Sequence, residues 1–391
     1  MAKLGEVFPV IRNGVSIKQE SGAGGFPITR IETISNRTVN RSKMGYAGIL
    51  DIGKYQDYIL QDGDILMSHI NSEAHLGKVA LYTKQGNEQI IHGMNLLMLR
   101  SNSKKLLPEY AKCYFESWSF LRQIQRITKK SVNQASFTVT ALKEVEIPCV
   151  DIDVQKEIVK SLQKLEQLIS LRKQQLVKLD ELVKVRFVKM FGTYPKNENG
   201  FPIKVISDVA DVSVGVVIKP AQYYVEKEVG VKAFRSLNIG PMYIKDNDWV
   251  YFSSDGNAKN RKSQLHENDL LIVRSGAPGV SCVVTKEYEG CNAIDVIIAR
   301  PNLSKVNPWY LCAYTNYPHG KKQIDEGTGG AAQQHFNVGK YSKVKIMIPP
   351  LSLQNDFAAF VERVDQQKQT IQQGLEKLEL MKKALMQEYF G

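Results

Sequence analysis

The chain has 391 residues, of which 43% are hydrophobic and 24% are charged, and its formal net charge is +12. This length allows two or more domains with cores of their own, and the apolar fraction excludes a largely disordered chain. The basic excess favours a polyanionic partner such as nucleic acid. It is present in both halves, because residues 1–152 carry 19 basic and 14 acidic side chains and residues 193–352 carry 19 and 15.

Several classes of protein are disfavoured by what the sequence lacks. The five cysteines are scattered and form no C-x-x-C pair, and the six histidines show no metal-ligand spacing. Neither a disulfide framework nor a metal site is therefore indicated. No apolar run approaches the length of a membrane span, and the N-terminus has no apolar signal core. We expect a cytoplasmic protein with reduced thiols and no membrane contact.

Residues 1–152 are predicted to form a first globular domain of mixed structure. Short apolar runs at 63–67 and 78–82 indicate strands between glycine and asparagine turns. A helix is predicted to begin at Leu107-Pro108 and to continue to about Arg126, because proline is accepted in a first helical turn. A polar stretch at 129–137 and a strand at 145–148 follow.

Residues 153–191 are predicted to form a long amphipathic helix. Its apolar residues recur in steps of four and three over five heptads, which is typical of a coiled coil. At ~1.5 Å per residue the stretch from Gln155 to Phe191 would be about 55 Å long, more than a domain core needs, so we interpret it as a spacer. The apolar positions are Ile158, Leu162, Leu165, Ile169, Leu176, Leu179, Val183 and Met190.

The same order of segments then returns. A turn-rich linker at 192–200 leads into a second domain, 192–352, and a second long helix, 353–391. Asn268–Ile272 repeats the strand at Gly63, and Asn307-Pro308 repeats the helix start at Leu107. A period of roughly 200 residues indicates duplicated domains, not a solenoid. The second apolar stripe keeps the register of the first at an offset of 199, with Phe357, Val361, Val364, Ile371, Leu375, Leu378, Leu385 and Tyr389.

Four basic residues interrupt the two stripes: Arg172 and Arg186 in the first, Lys368 and Lys382 in the second. One interpretation is a frayed, solvated seam. The other is that half-buried charges penalise wrong registers and help to fix the orientation of the helices. The helices could pair between two chains, although the tether within one chain gives an internal partner a high effective concentration.

Two short motifs resemble catalytic signatures but lack their context. Gly48–Tyr55 nearly fits a phosphate-binding loop, yet Tyr55 replaces the Ser or Thr that holds magnesium, so we expect a strand and turn. Asn307-Pro308-Trp309-Tyr310 resembles the N-P-P-Y motif of amino-directed DNA methyltransferases. The repeat places Leu107-Pro-Glu-Tyr110 at the same position, which favours a helix start. No catalytic residues are predicted.

Together these features resemble the specificity subunits of type I restriction–modification enzymes over the whole chain. The resemblance rests on the duplicated plan, on residues 14–18 and 215–220 near the domain starts, and on Phe234–Ile239. It also rests on Ile348–Gln354, which is similar to the family's proline-leucine-glutamine start of the spacer helix. The first copy departs from that pattern, with one proline and two extra residues between Ile147 and Gln155.

The resemblance implies an α+β fold. Two similar mixed α/β target-recognition domains, 1–152 and 192–352, would be separated by two long helices, 153–191 and 353–391, packed as an antiparallel intramolecular coiled coil with pseudo-twofold symmetry. Each domain would read half of a split site in double-stranded DNA. Two methyltransferase subunits would dock, and restriction (motor–nuclease) subunits could join.

The same resemblance implies a chain without catalytic activity or a cofactor of its own, since S-adenosylmethionine would be used by the methyltransferase partner. Two other classes stay open. One is a self-contained DNA methyltransferase or nuclease, and the other is a coiled-coil scaffold with no role in DNA binding.

Candidate DNA-binding residues are polar side chains in corresponding segments of the two copies, where lysines suit phosphates and longer polar groups suit base edges. For each of them the alternative is a structural role in a turn or strand end. The expected phosphate contacts are Lys18, Lys129, Lys130, Lys219, Lys321 and Lys322. The expected base contacts are Arg30, His69, Asn71, Gln134, Ser136, Arg235, Arg274, Ser275, Gln333, Gln334 and His335.

Overall fold

The computed structural model describes residues 1–19, 24–132, 134–328 and 336–391, and the chain divides into two compact units. The first unit contains Met1–Lys173 and Gln373–Gly391, and the second contains Gln174–Gln372. The division falls inside both long helices. Each unit therefore consists of a globular part and two helix segments.

The first unit is built on a four-stranded antiparallel sheet. Its helices are α1 (Leu4–Val7), α2 (Pro108–Phe115), α3 (Trp118–Ile127), α4 (Val139–Lys143) and the first part of the first long helix, α5 (Ile152–Phe191). Its strands are β1 (Ala2–Lys3), β2 (Val10–Asn13), β3 (Ile65–Ser68), β4 (Ile70–Asn71), β5 (Val79–Leu81), β6 (Leu96–Arg100), β7 (Lys129–Lys130), β8 (Ala135–Ser136) and β9 (Glu146–Ile147). The main sheet has the order β2-β6-β3-β5, and β1-β9 and β4-β8-β7 form smaller sheets.

The second unit repeats this plan and adds to it. Its helices are α6 (Ser254–Lys259), α7 (Pro308–Asn316), α8 (Pro318–Thr328), α9 (Val338–Ser342) and the first part of the second long helix, α10 (Leu351–Phe390). Its strands are β10 (Ile203–Val205), β11 (Ala210–Val214), β12 (Tyr224–Val225), β13 (Val231–Phe234), β14 (Val250–Phe252), β15 (Leu270–Val273), β16 (Ser281–Val283), β17 (Asn292–Ala293), β18 (Val296–Pro301) and β19 (Lys345–Met347). The order β11-β18-β15-β16 matches the main sheet of the first unit, whereas the sheet β12-β14-β13-β17 is an addition.

Each main sheet contains an equivalent arginine–aspartate ion pair. In the first unit Arg100 donates to both carboxylate oxygens of the fully buried Asp64, at 2.7 Å each. In the second unit Arg300 donates to both oxygens of Asp269, at 2.9 and 2.8 Å. Each carboxylate also accepts from a backbone N–H three residues before it, that of Gln61 or His266. Bidentate pairing with further hydrogen bonds is the arrangement that compensates the burial of a carboxylate.

Each long helix has 40 residues, about 60 Å at ~1.5 Å per residue. In the first unit the helix segments are antiparallel, because Glu166 pairs with Lys382 (2.6 Å) and, further along α5, Lys173 pairs with Glu379 (3.0 Å). In the second unit Asp180 pairs with Lys368 (2.7 Å).

Further along α5 in the second unit, the ring of Phe187 contacts that of Phe357, with centroids 5.2 Å apart. This segment pair is therefore antiparallel as well. Two of the basic residues that interrupt the apolar stripes, Lys368 and Lys382, thus form ion pairs across the helix pair.

The predicted seam positions lie on the inner faces of the helices, where each is buried or half-buried. The buried positions are Ile158, Leu162, Leu165, Val183, Phe357, Val361, Val364 and Leu375. The half-buried positions are Ile169, Leu176, Leu179, Ile371, Leu378 and Leu385.

Aromatic residues at the C-terminal ends of the long helices belong to the globular cores. In the first unit the ring of Phe390 meets those of Tyr110 and Tyr114 edge-on, with centroids 5.4 and 5.6 Å apart. In the second unit Phe191 packs on Tyr310, with centroids 4.7 Å apart. Each unit therefore encloses the end of one long helix in the same way.

A buried glutamine fixes the N-terminal end of each long helix. Oε1 of Gln155 accepts from the N–H of Leu107 (2.9 Å), and its Nε2 donates to the carbonyls of Lys105 (2.9 Å) and Val150 (2.7 Å). Oε1 of Gln354 accepts from the N–H of Asn307 (2.8 Å), and its Nε2 donates to the carbonyl of Pro349 (2.8 Å). Both glutamines are 0% exposed. The same anchoring forms in both copies although the first has the longer connection.

Of three local predictions, two need correction and one is confirmed. The helix expected from Leu107 to Arg126 is two helices, because Ser117 caps the second of them by accepting from the N–H of Phe120. Gly48–Tyr55 contains no strand, and a 3-10 helix occupies Gly53–Tyr58. The helix start at Asn307 is confirmed, since its side chain accepts from the N–H groups of Trp309 and Tyr310. Among the described helices, none combines the length and apolarity that crossing a membrane requires.

We expect Gln155→Ala or Gln354→Ala to lower the free energy of unfolding by about 1–3 kcal/mol. Each substitution leaves a buried N–H and a buried carbonyl without a partner. A loss of about 1–3 kcal/mol is usual when buried polar groups are left unsatisfied. Urea unfolding followed by tryptophan fluorescence measures the change. Gln163→Ala, at an exposed position of α5, is the matched control and should shift the midpoint little. Equal shifts in all three variants would contradict the anchoring role.

Candidate nucleic-acid interface

In the first unit a small sheet brings several candidate residues together. β8 lies in the middle and pairs antiparallel with both β4 and β7, so that Ser136 is opposite Ile70 on one side and Lys129 on the other. Asn71, Lys129, Lys130 and Ser136 are therefore neighbours on one sheet. Asn71 and Lys129 are more than fifty positions apart in the sequence, but their strands both pair with β8 in the fold.

Strands β7 and β8, together with the exposed residues Ser131, Val132 and Gln134, are called the hairpin below. Both the N–H and the hydroxyl of Ser131 donate to the carbonyl of Gln134, at 2.8 Å. Val132 at the tip is 100% exposed, and Lys129, Lys130 and Gln134 beside it are exposed too. Lys130 reaches Glu73 at 2.8 Å. Val132 was missed by the sequence analysis, and its only signal was a lone apolar residue in a polar stretch.

His69 lies beneath the hairpin. Its carbonyl accepts from the N–H of Phe137 (3.2 Å), and its ring meets the Phe137 ring edge-on, with centroids 6.3 Å apart. The side chain is buried, and burial lowers the pKa of His69 from its ordinary value to about 4. The imidazole is therefore neutral at pH 7 and supports the base of the hairpin.

Arg30 and Arg235 occupy equivalent positions at the start of a 3-10 turn. The N–H of Arg30 donates to the Thr33 hydroxyl (2.8 Å), and that of Arg235 donates to Oδ1 of Asn238 (2.9 Å). Both arginines are half-buried, and their guanidinium groups bond to Gln19 and to the carbonyl of Asp248 respectively. The repeat match between these arginines thus reflects a shared turn.

The candidate lysines near the domain starts are exposed. Lys18 lies in the loop that follows β2. Lys219 has a left-handed backbone (φ 44°) and precedes the 3-10 turn Pro220–Tyr223. Ile218 beside it is 78% exposed, which is unusual for a large apolar side chain.

In the second unit Arg274 and Ser275 directly follow β15, as His69 and Ile70 follow β3. The backbone equivalence is direct, because the carbonyl of Arg274 accepts from the N–H of Phe336 (3.0 Å) as that of His69 accepts from Phe137. The Arg274 side chain is 12% exposed and forms an ion pair with Asp295. Gln333, Gln334 and His335 lie outside the described residues.

Lys321 and Lys322 are not the counterparts of Lys129 and Lys130. They lie on α8, which corresponds to α3, whereas Lys129–Lys130 form strand β7. The correspondence is fixed by Gln123 and Gln323, whose amides each bond the backbone of the strand before a long helix, at Glu146 and Lys345. Lys321 is held by Asp325 one turn along, and Lys322 is exposed.

The hairpin surface offers lysine ammonium groups, side-chain amides, a hydroxyl and one apolar tip. This set suits contacts to phosphates and base edges. In the part of the chain that the structure describes, no group of three or more His, Cys, Asp or Glu side chains could hold a metal ion.

Comparison with known proteins gives the family. The model of the type I restriction modification DNA specificity domain matches the chain twice, over residues 1–181 and 175–380. A relative from Methanocaldococcus jannaschii is 30% identical over 403 aligned positions. Its name is type I restriction enzyme MjaX specificity subunit. That alignment covers 98% of this chain and 91% of that protein.

Two solved structures share the fold over the whole chain. One belongs to work on complex assembly and conformational transition of the type I R-M system, with a TM-score of 0.61, 16% identity and 96% of that chain covered. The other is the type I restriction–modification S subunit from M. genitalium, with a TM-score of 0.58, 13% identity and 95% covered. The predicted α+β fold with two long helices is confirmed. The chain belongs to the type I restriction–modification DNA specificity family, as a non-catalytic specificity subunit.

Proposed function

We propose that the chain reads a two-part target in double-stranded DNA, one half with each of its two domains. The observation that carries this proposal is the duplication: one specificity-domain model matches two successive segments, and each segment has its own main sheet and its own anchored helix. The target-recognition domains are proposed to be residues 1–152 and 192–352, with the long helices 153–191 and 353–391 as spacers.

Two linked readers give a selectivity that one reader lacks. A mismatched base pair costs ~1–3 kcal/mol, so a domain that reads a few base pairs discriminates weakly on its own. Tethering makes the second contact intramolecular, and a rigid spacer restricts it to half-sites at one distance and helical phase. Long helices with a buried seam and cross-helix ion pairs provide the required stiffness.

In the first domain the hairpin is proposed to make the main contacts. Lys129 and Lys130 would bind phosphates on either side of a groove, and Gln134 would reach a base edge. Val132 at the tip would contact an apolar group, of which the thymine methyl is the one that a base presents in the major groove. His69 and Phe137 hold the hairpin from below.

In the second domain the proposed contacts come from Arg274, Ser275 and Lys219. Arg274 is oriented by Asp295, so its planar guanidinium is held in one direction without a cost in side-chain entropy on binding. Lys219 and the exposed Ile218 form a second candidate contact in the loop before the 3-10 turn. Ser275 directly follows Arg274 on the same loop.

The proposed partners are two methyltransferase subunits, which would bind S-adenosylmethionine and methylate adenine, and restriction subunits that could join them. A specificity subunit has no catalytic role, so its complex must obtain that chemistry from other chains. Binding of S-adenosylmethionine by the isolated chain would instead indicate a self-contained methyltransferase.

We expect Lys129→Glu with Lys130→Glu to weaken DNA binding uniformly across sequences and to lower the salt dependence. Two lost phosphate contacts should reduce the slope of log K against log[salt] by roughly 2. The matched control is Lys104→Glu with Lys105→Glu, an exposed adjacent pair outside the hairpin. Filter binding of the methyltransferase complex at several salt concentrations measures the slope. An equal change in both double variants would exclude a specific role for the hairpin.

Lengthening both spacers by one heptad should widen the unread gap between the half-sites. Seven residues add ~10 Å to each helix, or about three base pairs of DNA. Duplicating Ile169–Gln175 in α5 and Gln373–Glu379 in α10 places the insertions opposite each other, as the ion pairs of the first unit indicate. Mapping of adenine methylation by sequencing, after coexpression with the methyltransferase subunit, measures the gap.

The control for the spacer experiment is the insertion in α5 alone, which breaks the register of the seam and should abolish methylation. An unchanged gap in the double insertion would count against the spacer role.

A further inference from the structure

The first unit contains an open cleft of about 920 Å³ that the contacts proposed for DNA do not use. Arg37, Trp118 and the turn before α3 line one side of it. The α5 segment around Ile169 and the last turns of α10 line the other. No residue of the hairpin is among its lining residues.

The cleft is open because three side chains in its wall are small or flexible. Ser117, Ser119 and Met386 stand where the second unit has Tyr317, His319 and Phe187. The matching of Gln123 with Gln323, and of Phe390 with Phe191, fixes these correspondences.

In the second unit the three corresponding rings fill the space by packing on one another. The centroid of Phe187 lies 5.4 Å from that of Tyr317 and 5.1 Å from that of His319, with the rings nearly perpendicular. His319 is 2% exposed. Aromatic groups are therefore what this position in the fold accommodates, and the first unit provides none from its own chain at these three sites.

The rim of the cleft has the composition of a protein-binding surface. Trp118 is 64% exposed, and the guanidinium of Arg122 lies over its ring at 4.9 Å from the centroid. Tryptophan is the residue most enriched in the energetically dominant parts of protein interfaces. An exposed tryptophan beside an open cleft indicates that a partner covers both.

The cleft also has unbalanced positive charge. Nη1 of Arg37 is buried yet makes no hydrogen bond within the described residues, and its nearest carboxylate, that of Glu116, is 3.8 Å away. Lys383 forms no ion pair in the described part of the chain, whereas Lys173 and Lys382 are each paired with a glutamate. A carboxylate placed in the cleft would supply the hydrogen bond that Arg37 lacks.

We propose that this cleft receives an aromatic side chain, with a carboxylate next to it, from a methyltransferase subunit. The proposal rests on the proposed function, in which two such subunits dock on the chain. A protein occupant is favoured over DNA because the groups that fill the corresponding space in the second unit are aromatic side chains and because the exposed Trp118 at the rim is typical of a protein interface.

The consequence is that the two methyltransferase subunits bind with unequal affinity. At the second unit Tyr317, His319 and Phe187 occupy the equivalent space, so the same aromatic side chain of the partner finds no cleft there. The subunit that uses the first unit gains a buried aromatic contact and a charge-assisted hydrogen bond that the other does not. Such a difference is typical of a single interface anchor.

Titration of the full-length chain with the cognate methyltransferase subunit, followed by native mass spectrometry, tests the inference. Wild type should bind the first subunit at least tenfold more tightly than the second.

The variant Ser117→Tyr, Ser119→His, Met386→Phe, called the filled variant, fills the cleft with the residues of the second unit. It should bind both methyltransferase subunits equally and weakly. Trp118→Ala should weaken the first step about tenfold and leave the second unchanged. Ser103→Tyr, on an exposed turn, is the control for added aromatic bulk.

Two equal steps in wild type, or a tight first step that survives in the filled variant and in Trp118→Ala, would overturn the inference. So would a loss of salt-dependent DNA binding by the isolated filled variant, which would make nucleic acid the occupant, or a loss of self-association, which would make it a second copy. If the filled variant has the same thermal unfolding temperature as wild type, its fold is intact. If wild type binds no methyltransferase subunit at all, the proposed function itself fails, and that result is distinct from equal binding of two.

Discussion

Gln155 and Gln354 are completely buried polar side chains at the start of the two long helices, and the rest of the architecture depends on their hydrogen bonds. Each joins the first turn of its helix to the backbone just before α2 or α7. At the other end of each helix a phenylalanine lies among the tyrosines of α2 or α7. In each unit the start of one long helix and the end of the other therefore meet the same short segment of the globular part. A helix fixed in this way transmits its direction to the domain, which a flexible linker could not do.

The seam between the helices adds a second constraint, on register. Apolar heptads alone would tolerate a shift by seven residues, because the stripe would still face inward. In the first unit such a shift would place Lys382 opposite Val159 or Lys173 in place of Glu166. One shift leaves a half-buried ammonium without a partner, and the other brings two like charges together. The ion pair itself contributes little stability, since both side chains are about one-third exposed, but the wrong registers cost more.

The regular parts of this structure could be predicted from the sequence because each follows from a local rule. The stripe of the long helices, the strand at Ile65, and the helix starts at Pro108 and Pro308 depend on periodicity or on the first turn. The break at Ser117, the 3-10 helix at Gly53–Tyr58 and the mismatch of Lys321 with Lys129 could not be predicted so. They depend on which serine caps a helix and on how many residues a loop inserts, and both are decided by tertiary contacts. The sheet β4-β8-β7, which brings Asn71, Lys129 and Ser136 together, could not be predicted either, because β4 is far from the other two strands in the sequence.

Comparing the two copies shows which kinds of residue the fold constrains. The groups common to both units hydrogen-bond to backbone: the aspartates under the sheets, the glutamines at the helix starts and the glutamines of α3 and α8. Exchanging one of them leaves two or more polar groups without their partner, so duplication alone does not free it to change. Other groups differ between the two copies. His69 corresponds to Arg274 in an identical backbone setting, and the sheet β12-β14-β13-β17 is present only in the second of the two described units.

Side chains at such positions can be replaced without loss of the fold, and this is the property that a chain with two different readers requires. The cleft at Ser117 is another place where the two copies differ. Ser117, Ser119 and Met386 leave open the space that the rings of Tyr317, His319 and Phe187 fill in the second unit. This makes the first unit chemically distinct from the second at the cleft where a methyltransferase subunit is proposed to dock.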